Sequence, residues 1–298
     1  MKKYSIKSYE PDFDREQARI GFEVANSWLW PLAHDEQDLK RIHTQPDFDP
    51  ETSWYCFDGN KMVGFISMAL PSSESTDNPK AVLFNPRILP NHEETMSLLI
   101  EKSLEVLRKK GIRKVEIQVS TMFKNSTALL EGWGFAPSQN RGWGYKIYYS
   151  YKMSQGELSV DAENVHEVNT SDEYDESAEL ATHWYKMPKD WCKNLLTEWH
   201  ATGEVITHAF IRQNEKMVAT CMVAPNNVRK DTAAVYFVYA KVAGFLPPLL
   251  SRVVHDCIQK GCKTLIVDLI NEQRSYEDIY RSLGFTKSAE WAVYEKEL

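Results

Sequence analysis

No apolar run in this sequence approaches the about 18 residues that a membrane span requires, and the opening MKKYSIKSYE lacks the apolar stretch of a secretory signal. A cytoplasmic protein with no membrane partner is expected. Basic charge is also in short supply: 35 Lys and Arg against 42 Asp and Glu leave a net charge of −7 and a pI near 5.7. Nucleic-acid binding needs clustered cations to neutralise phosphates, so that class is set aside. The acidic balance suits a cationic or neutral small substrate, although ordinary solubility uses charge in the same way. Cysteine is sparse. The five residues Cys56, Cys192, Cys221, Cys257 and Cys262 have no CxxC spacing and no His at zinc-ligand distance. They read as reduced thiols, with neither a disulfide framework nor a metal. No GxGxxG follows a strand pattern, which weighs against a doubly wound nucleotide-binding domain.

What is present is a repeat. The segments LLEGWGF and IYRSLGF end in Gly-Phe pairs whose glycines are 284 − 134 = 150 residues apart. Upstream, LRKKGIRKVEIQV faces CIQKGCKTLIVDL, and Gly111 and Gly261 are again 150 apart. Each glycine closes an amphipathic helical stripe, Met96, Leu99, Ile100, Leu104 and Leu107 in one half, Leu250, Val253, Val254, Cys257 and Ile258 in the other. Further upstream GNKMVGFISM faces NEKMVATCMV at an offset of 216 − 61 = 155, each following a strand-like run across a polar turn, as in a β-hairpin. Then come AVLF and AAVYFVYA, the latter apolar enough for a central strand. Matches in shared order through 298 residues predict two α/β domains of one topology, joined within the polar stretch 153–165.

The repeated unit resembles the GNAT superfamily of acyl-CoA-dependent N-acyltransferases, most specifically in NEQRSYEDIYRSLGF. The resemblance implies an α/β (α+β) fold of two tandem GNAT-like domains, each a mixed, mostly antiparallel twisted sheet flanked by helices. The expected limits are 1–155 for a degenerate copy and 156–298 for the catalytic one. The family signature Gln/Arg-x-x-Gly-x-Gly/Ala falls on Lys241, Gly244 and Leu246. It implies that acetyl-CoA, as co-substrate, lies along Val238, Tyr239, Ala240, Lys241, Val242, Ala243, Gly244, Phe245 and Leu246, with Asn271 and Tyr280 beside it. A glycine there lets the backbone approach a pyrophosphate, and a helix N-terminus presents free N–H groups. Pro247 and Pro248 reduce the number of those donors. In the first half the same positions hold Asn91, Glu94 and Met96, and Leu130 replaces Tyr280. That half is read as a copy that packs against the other and shapes its acceptor site.

Acyl transfer from a thioester to an amine needs the two held together, a base for the ammonium proton and an acid for the departing thiolate. The resemblance assigns the acid role to Tyr280, whose alternative is a packed aromatic. His208 and Asp268 are the candidate bases by position, against the alternatives of a satisfied structural histidine and a strand-end carboxylate. Trp28, Trp30, Trp184, Tyr185 and Trp191 fall where the first helices frame the acceptor; they line a pocket for a cationic amine or else form core. The acidic run SDEYDESAE attracts a cation or is a solvated helix face. The leading reading is an acetyl or short-acyl transferase acting on a small-molecule amine, with a homodimer left open. Its competitor is a non-catalytic acyl-CoA-binding or scaffold protein.

Overall fold

A computed structural model describes residues 3–28, 33–71, 80–120, 126–138 and 146–298, without the side chains of Ser126, Asn271 and Glu272. The chain forms two compact units, one of residues 1–146 with 289–298, the other of residues 147–288. The first unit contains β1 (Tyr4–Ser8), α1 (Asp14–Ala25), α2 (Glu36–His43), β2 (Ser53–Asp58), β3 (Lys61–Ala69), β4 (Lys80–Leu83), β5 (Arg87–Ile88), α3 (Thr95–Lys109), β6 (Lys114–Ser120), α4 (Ser126–Gly132) and β7 (Ala136–Pro137). The second contains β8 (Lys146–Lys152), β9 (Val165–Glu167), α5 (Ser171–Tyr185), α6 (Lys189–Ala201), β10 (Thr207–Gln213), β11 (Lys216–Pro225), β12 (Thr232–Ala240), α7 (Leu246–Gln259), β13 (Thr264–Ile270) and α8 (Glu277–Ser282). The last strand, β14 (Thr286–Glu297), gives most of its length to the first unit.

Among the described pairings of β1–β6 and of β9–β13, each unit is antiparallel except for one parallel pair, β4 with β6 and β12 with β13. The repeat reaches the level of single residues. The β2–β3 hairpin has a bulge at Val63, since Cys56 faces Gly64 while Phe57 faces Met62. The β10–β11 hairpin has its bulge at Val218, since Ile211 faces Ala219 while Arg212 faces Met217. The two bulges are 218 − 63 = 155 residues apart, the offset at which the hairpin sequences align. Bulges re-aim a strand and are retained as features of a fold, so their coincidence is evidence for a duplicated unit.

Four helices end in the same way. Gly111, Gly134, Gly261 and Gly284 all have positive φ, from 74° to 87°. After each, the next residue donates its N–H back to the third residue from the helix end: Ile112 to Leu107, Phe135 to Leu130, Cys262 to Cys257 and Phe285 to Tyr280. This is the Schellman cap, in which the two residues so joined also bring their side chains together. The repeated Gly-Phe is therefore a helix stop, with glycine supplying the left-handed backbone and phenylalanine covering the helix end.

The core of the second unit lies against the parallel pair. Residues 217–224 of β11 are all buried, as in a strand covered on both faces, and α7 adds Leu249, Leu250, Val253, Val254 and Cys257, each fully buried. Helix α5 starts from a capping box in which Thr170 and Glu173 satisfy each other's backbone N–H.

The expected boundary at residue 155 is displaced by an exchange of closing strands. β8, next in sequence after the first unit, lies beside β13 in the second, while Trp291–Glu297 of β14 pair antiparallel with Ser120–Lys114 of β6. Strand pairing is set by long-range contacts, and an apolar alternation does not specify which of two homologous sheet edges it will join.

Candidate functional site

In the second unit, β12 and β13 are paired only from Thr232 to Ala234 against Thr264 to Ile266, although β12 runs on to Ala240 and β13 to Ile270. The cause is a second bulge: Met222 faces Phe237 while Val223 faces Val235, so Tyr236 has no partner across β11. The extra residue turns β12 and leaves the C-terminal ends of the parallel pair open to each other. The first unit takes up an extra residue at the equivalent point, since Met68 faces Leu83 while Phe65 faces Arg87, and there too the parallel pairing ends early, at Leu83 against Ile117, although β6 runs on to Ser120.

Polar groups gather where the pair opens. Tyr185 Oη donates to the carbonyl of Tyr236 at 2.9 Å, and Tyr276 Oη to that of Ala240 at 3.4 Å. Asp268, on β13, is buried, and its charge, added to their burial, raises the ionisation of the Tyr148 and Tyr185 phenols far above the ordinary value. Tyr280 is wholly buried and shifted the same way, first by burial, then by Cys221 and Asp268. Among the described residues its hydroxyl has no hydrogen-bond partner, and neither does Oε1 of buried Gln273. Gln273 was not visible as a candidate: it lies in a 3₁₀ turn, Asn271–Tyr276, where nothing in the sequence pattern marks one polar residue above another. The side chain of Asn271 falls outside the described residues.

The loop after β12 follows the signature only in part. Lys241 is exposed, with no ion pair among the described residues, but its N–H is spent on the carbonyl of Val218. Phe245 N–H bonds to Val242, Leu246 N–H bonds to Ala243, and Pro247 and Pro248 have none to give. Val242, Ala243 and Gly244 keep unspent amides among the described residues. Gly244 has no positive φ, and a Cβ there would meet nothing within 4 Å, so its freedom is not needed by the fold. Val238, Ala240 and Leu246 are buried core, and Tyr239 stacks on His183 with centroids 4.7 Å apart.

His208 is not placed to take a proton from a substrate. It is 1% exposed, its Nε2 meets Ser177 Oγ at 2.7 Å and its Nδ1 meets His200 Nε2 at 2.9 Å. Ser177 Oγ continues to Thr220 Oγ1 at 3.0 Å. Burial, with a smaller effect from His200, lowers the imidazole to about 3, so both nitrogens serve a buried network that ties α5 and α6 to β10 and β11. Of the two base candidates, Asp268 alone acts electrostatically on Tyr280.

The aromatic and acidic segments divide. Trp184 is 2% exposed core, whereas Trp191 is 42% exposed and edge-on to Tyr185. Trp28 is covered by the Arg87 guanidinium, 4.7 Å from its ring, and Trp30 lies outside the described residues. The acidic run is largely spent on structure: Glu173 caps α5, Asp175 pairs with Lys193 and Glu176 with Arg212. In the first unit Glu94 begins α3 and accepts a 2.6 Å bond from Tyr4, placing a carboxylate where the signature has glycine. Leu130, in the position of Tyr280, is buried against the α4 cap.

No protein-family model and no curated protein matches the chain in sequence. Solved structures do match it. A GCN5-related N-acetyltransferase from Sphaerobacter thermophilus is 12% identical with a TM-score of 0.67, covering 99% of this chain and 95% of its own. A tandem GNAT protein from the clavulanic acid biosynthesis pathway is 12% identical with a TM-score of 0.67, over 99% and 98%. A GNAT-family acetyltransferase from Colwellia psychrerythraea is 13% identical with a TM-score of 0.65, over 98% and 100%. The chain has the fold of the GNAT acyltransferases. Its form is the tandem one, with two copies of the unit in a single polypeptide. Among the described residues no helix is long and apolar enough to cross a membrane.

Proposed function

We propose that the second unit binds acyl-CoA at the open end of β12 and β13 and transfers an acetyl or other short acyl group to the amine of a small molecule. The observation that carries this reading is the Tyr280 hydroxyl, wholly buried, without a partner among the described residues and within the electrostatic influence of Asp268. Leaving such a group unbonded costs about 1–3 kcal/mol, so a fold that keeps it has a use for it. A bound acyl-CoA supplies the activated thioester. Tyr280 holds a phenol proton for the departing sulfur, the Ala243 and Gly244 amides with Lys241 receive negative charge, and Gln273 Oε1 offers an acceptor. Asp268 is the carboxylate for the ammonium proton.

The test is calorimetric titration of the full chain with acetyl-CoA, followed by release of free thiol across a panel of amines. One site per chain is expected, abolished by Gly244→Glu, for which the loop has room. A second equivalent site, or binding that survives Gly244→Glu, would contradict it. One observation favours a second reading, that of a non-catalytic acyl-CoA-binding or scaffold protein: the first turn of α7 has no free N–H at Leu246, Pro247 or Pro248. Binding without turnover on any amine selects that reading.

A further inference from the structure

The four Schellman caps differ in what they bring together. In the first unit the cap of α3 joins Leu107 to Ile112, an apolar contact. Its counterpart on α7 joins Cys257 to Cys262, 150 residues on, since 257 − 107 = 150. The Cys262 N–H reaches the Cys257 carbonyl at 3.0 Å, and Gly261 between them has φ of 74°. This backbone geometry sets the two residues side by side, and each thiol shifts the ionisation of the other. Both are buried, Cys257 completely and Cys262 with 9% exposure left. Both are free thiols.

We propose that Cys257 and Cys262 are a dithiol that closes to an intrachain disulfide under hydrogen peroxide, with Cys262 oxidised first and Cys257 resolving it. The Cys262 sulfur, as thiolate, attacks one peroxide oxygen; the O–O bond breaks, giving a sulfenic acid and, after protonation, water. The Cys257 thiol then attacks that sulfur, the S–O bond breaks and a second water leaves with the thiol proton. Two thiols are oxidised by two electrons, and one peroxide is reduced to two waters. The order follows from the small exposure that Cys262 keeps and Cys257 lacks, and the neighbouring thiol acts in the same sense, lowering Cys262 below its ordinary value and raising Cys257. Bridging needs little movement, because a disulfide requires neighbouring Cα atoms and converging side chains, which the cap already supplies. The bond would tie the end of α7 to the start of β13.

The experiment treats the folded full chain with hydrogen peroxide, alkylates the remaining thiols after unfolding and digests with trypsin. Cleavage after Arg252, Lys260 and Lys263 puts Cys257 in peptide 253–260 and Cys262 in peptide 261–263. The expected product is these two peptides joined, lighter by two hydrogens and separated by reductant, while Cys56, Cys192 and Cys221 remain alkylated. Cys257→Ala should leave Cys262 as a sulfenic acid that dimedone captures. The wild-type digest decides the matter even if that variant folds poorly. Recovery of both peptides alkylated, overoxidation of Cys262 without a bridge, or a bridge that forms only in denaturant would each overturn the proposal.

Discussion

His208 has a ring whose second proton is opposed by burial and by His200, so the folded chain keeps it neutral down to about pH 3. In the unfolded chain the same group titrates near 6.5. Between those values the unfolded state binds a proton that the folded state refuses. Stability from this source is therefore complete above about pH 6.5 and is lost as pH falls toward 3. At pH 5 the loss is about 2 kcal/mol relative to neutral, and His200, lowered by its own burial, adds in the same direction. Urea midpoints at pH 7 and pH 5 should differ accordingly, and His208→Gln should shrink the difference. An unaltered pH dependence in that variant would mean that other groups carry it. Tyr280 calls for the opposite kind of measurement. Its hydroxyl has no bond among the described residues, so Tyr280→Phe should leave the unliganded melting temperature unchanged or slightly raised. Turnover should fall about 10²-fold or more if the phenol is the acid, and equal turnover with rate-limiting chemistry would reduce the residue to half of the α8 cap.

At the scale of elements, much of the architecture was written locally. Each glycine stop needs a left-handed residue after a helix, and a sequence advertises that need with Gly followed by an apolar side chain, as at Gly111, Gly134, Gly261 and Gly284. Gly261→Ala isolates the backbone contribution, since a Cβ there would meet nothing within 4 Å. The cost should be about 1 kcal/mol, the strain of a left-handed alanine, read as a lower denaturant midpoint with unchanged slope. The hairpins were legible too: the β10–β11 turn places Asn214 and Glu215 at positive φ, the two-residue turn that suits strand twist. What stayed hidden was assembled at long range. The partners of His208 are Ser177, His200 and Thr220, drawn from α5, α6 and β11, and no spacing in the chain announces that they meet. The role of Tyr280 was reachable only through the family resemblance, Asp268 was a candidate by position alone, and Gln273 was not reachable at all. The Pro247–Pro248 pair was readable as an obstacle to phosphate binding. That the Leu246 N–H is spent as well required the three-dimensional loop.

At the scale of the whole chain, the exchange of closing strands makes a specific demand on any attempt to divide the protein. Cutting at residue 155, where the sequence places its polar join, leaves an N-terminal fragment in which β6 keeps β4 on one edge but loses its partner on the other, because the pairing residues Trp291–Glu297 are in the other piece. The C-terminal fragment 156–298 in turn lacks β8, whose Ile147, Tyr148, Tyr149 and Tyr151 are all buried in the second unit. An open sheet edge with unsatisfied N–H and C=O groups and exposed aromatic core is an aggregation site rather than a folded surface. Fragments 1–155 and 156–298 should therefore each be insoluble or partly folded alone. Mixed from denaturant, they should recover one cooperative transition, because each carries the strand that the other needs. Moving the cut changes the outcome in a way that tests the cause: residues 147–288 keep β8 and omit most of β14, and should fold better alone than 156–298 despite similar length. Circular dichroism melts and size-exclusion profiles of the three fragments decide it. A fragment 156–298 as stable as the full chain would mean that the exchange contributes nothing to the second unit. Equal failure of 147–288 would mean that the second unit requires the first for reasons other than the exchanged strand.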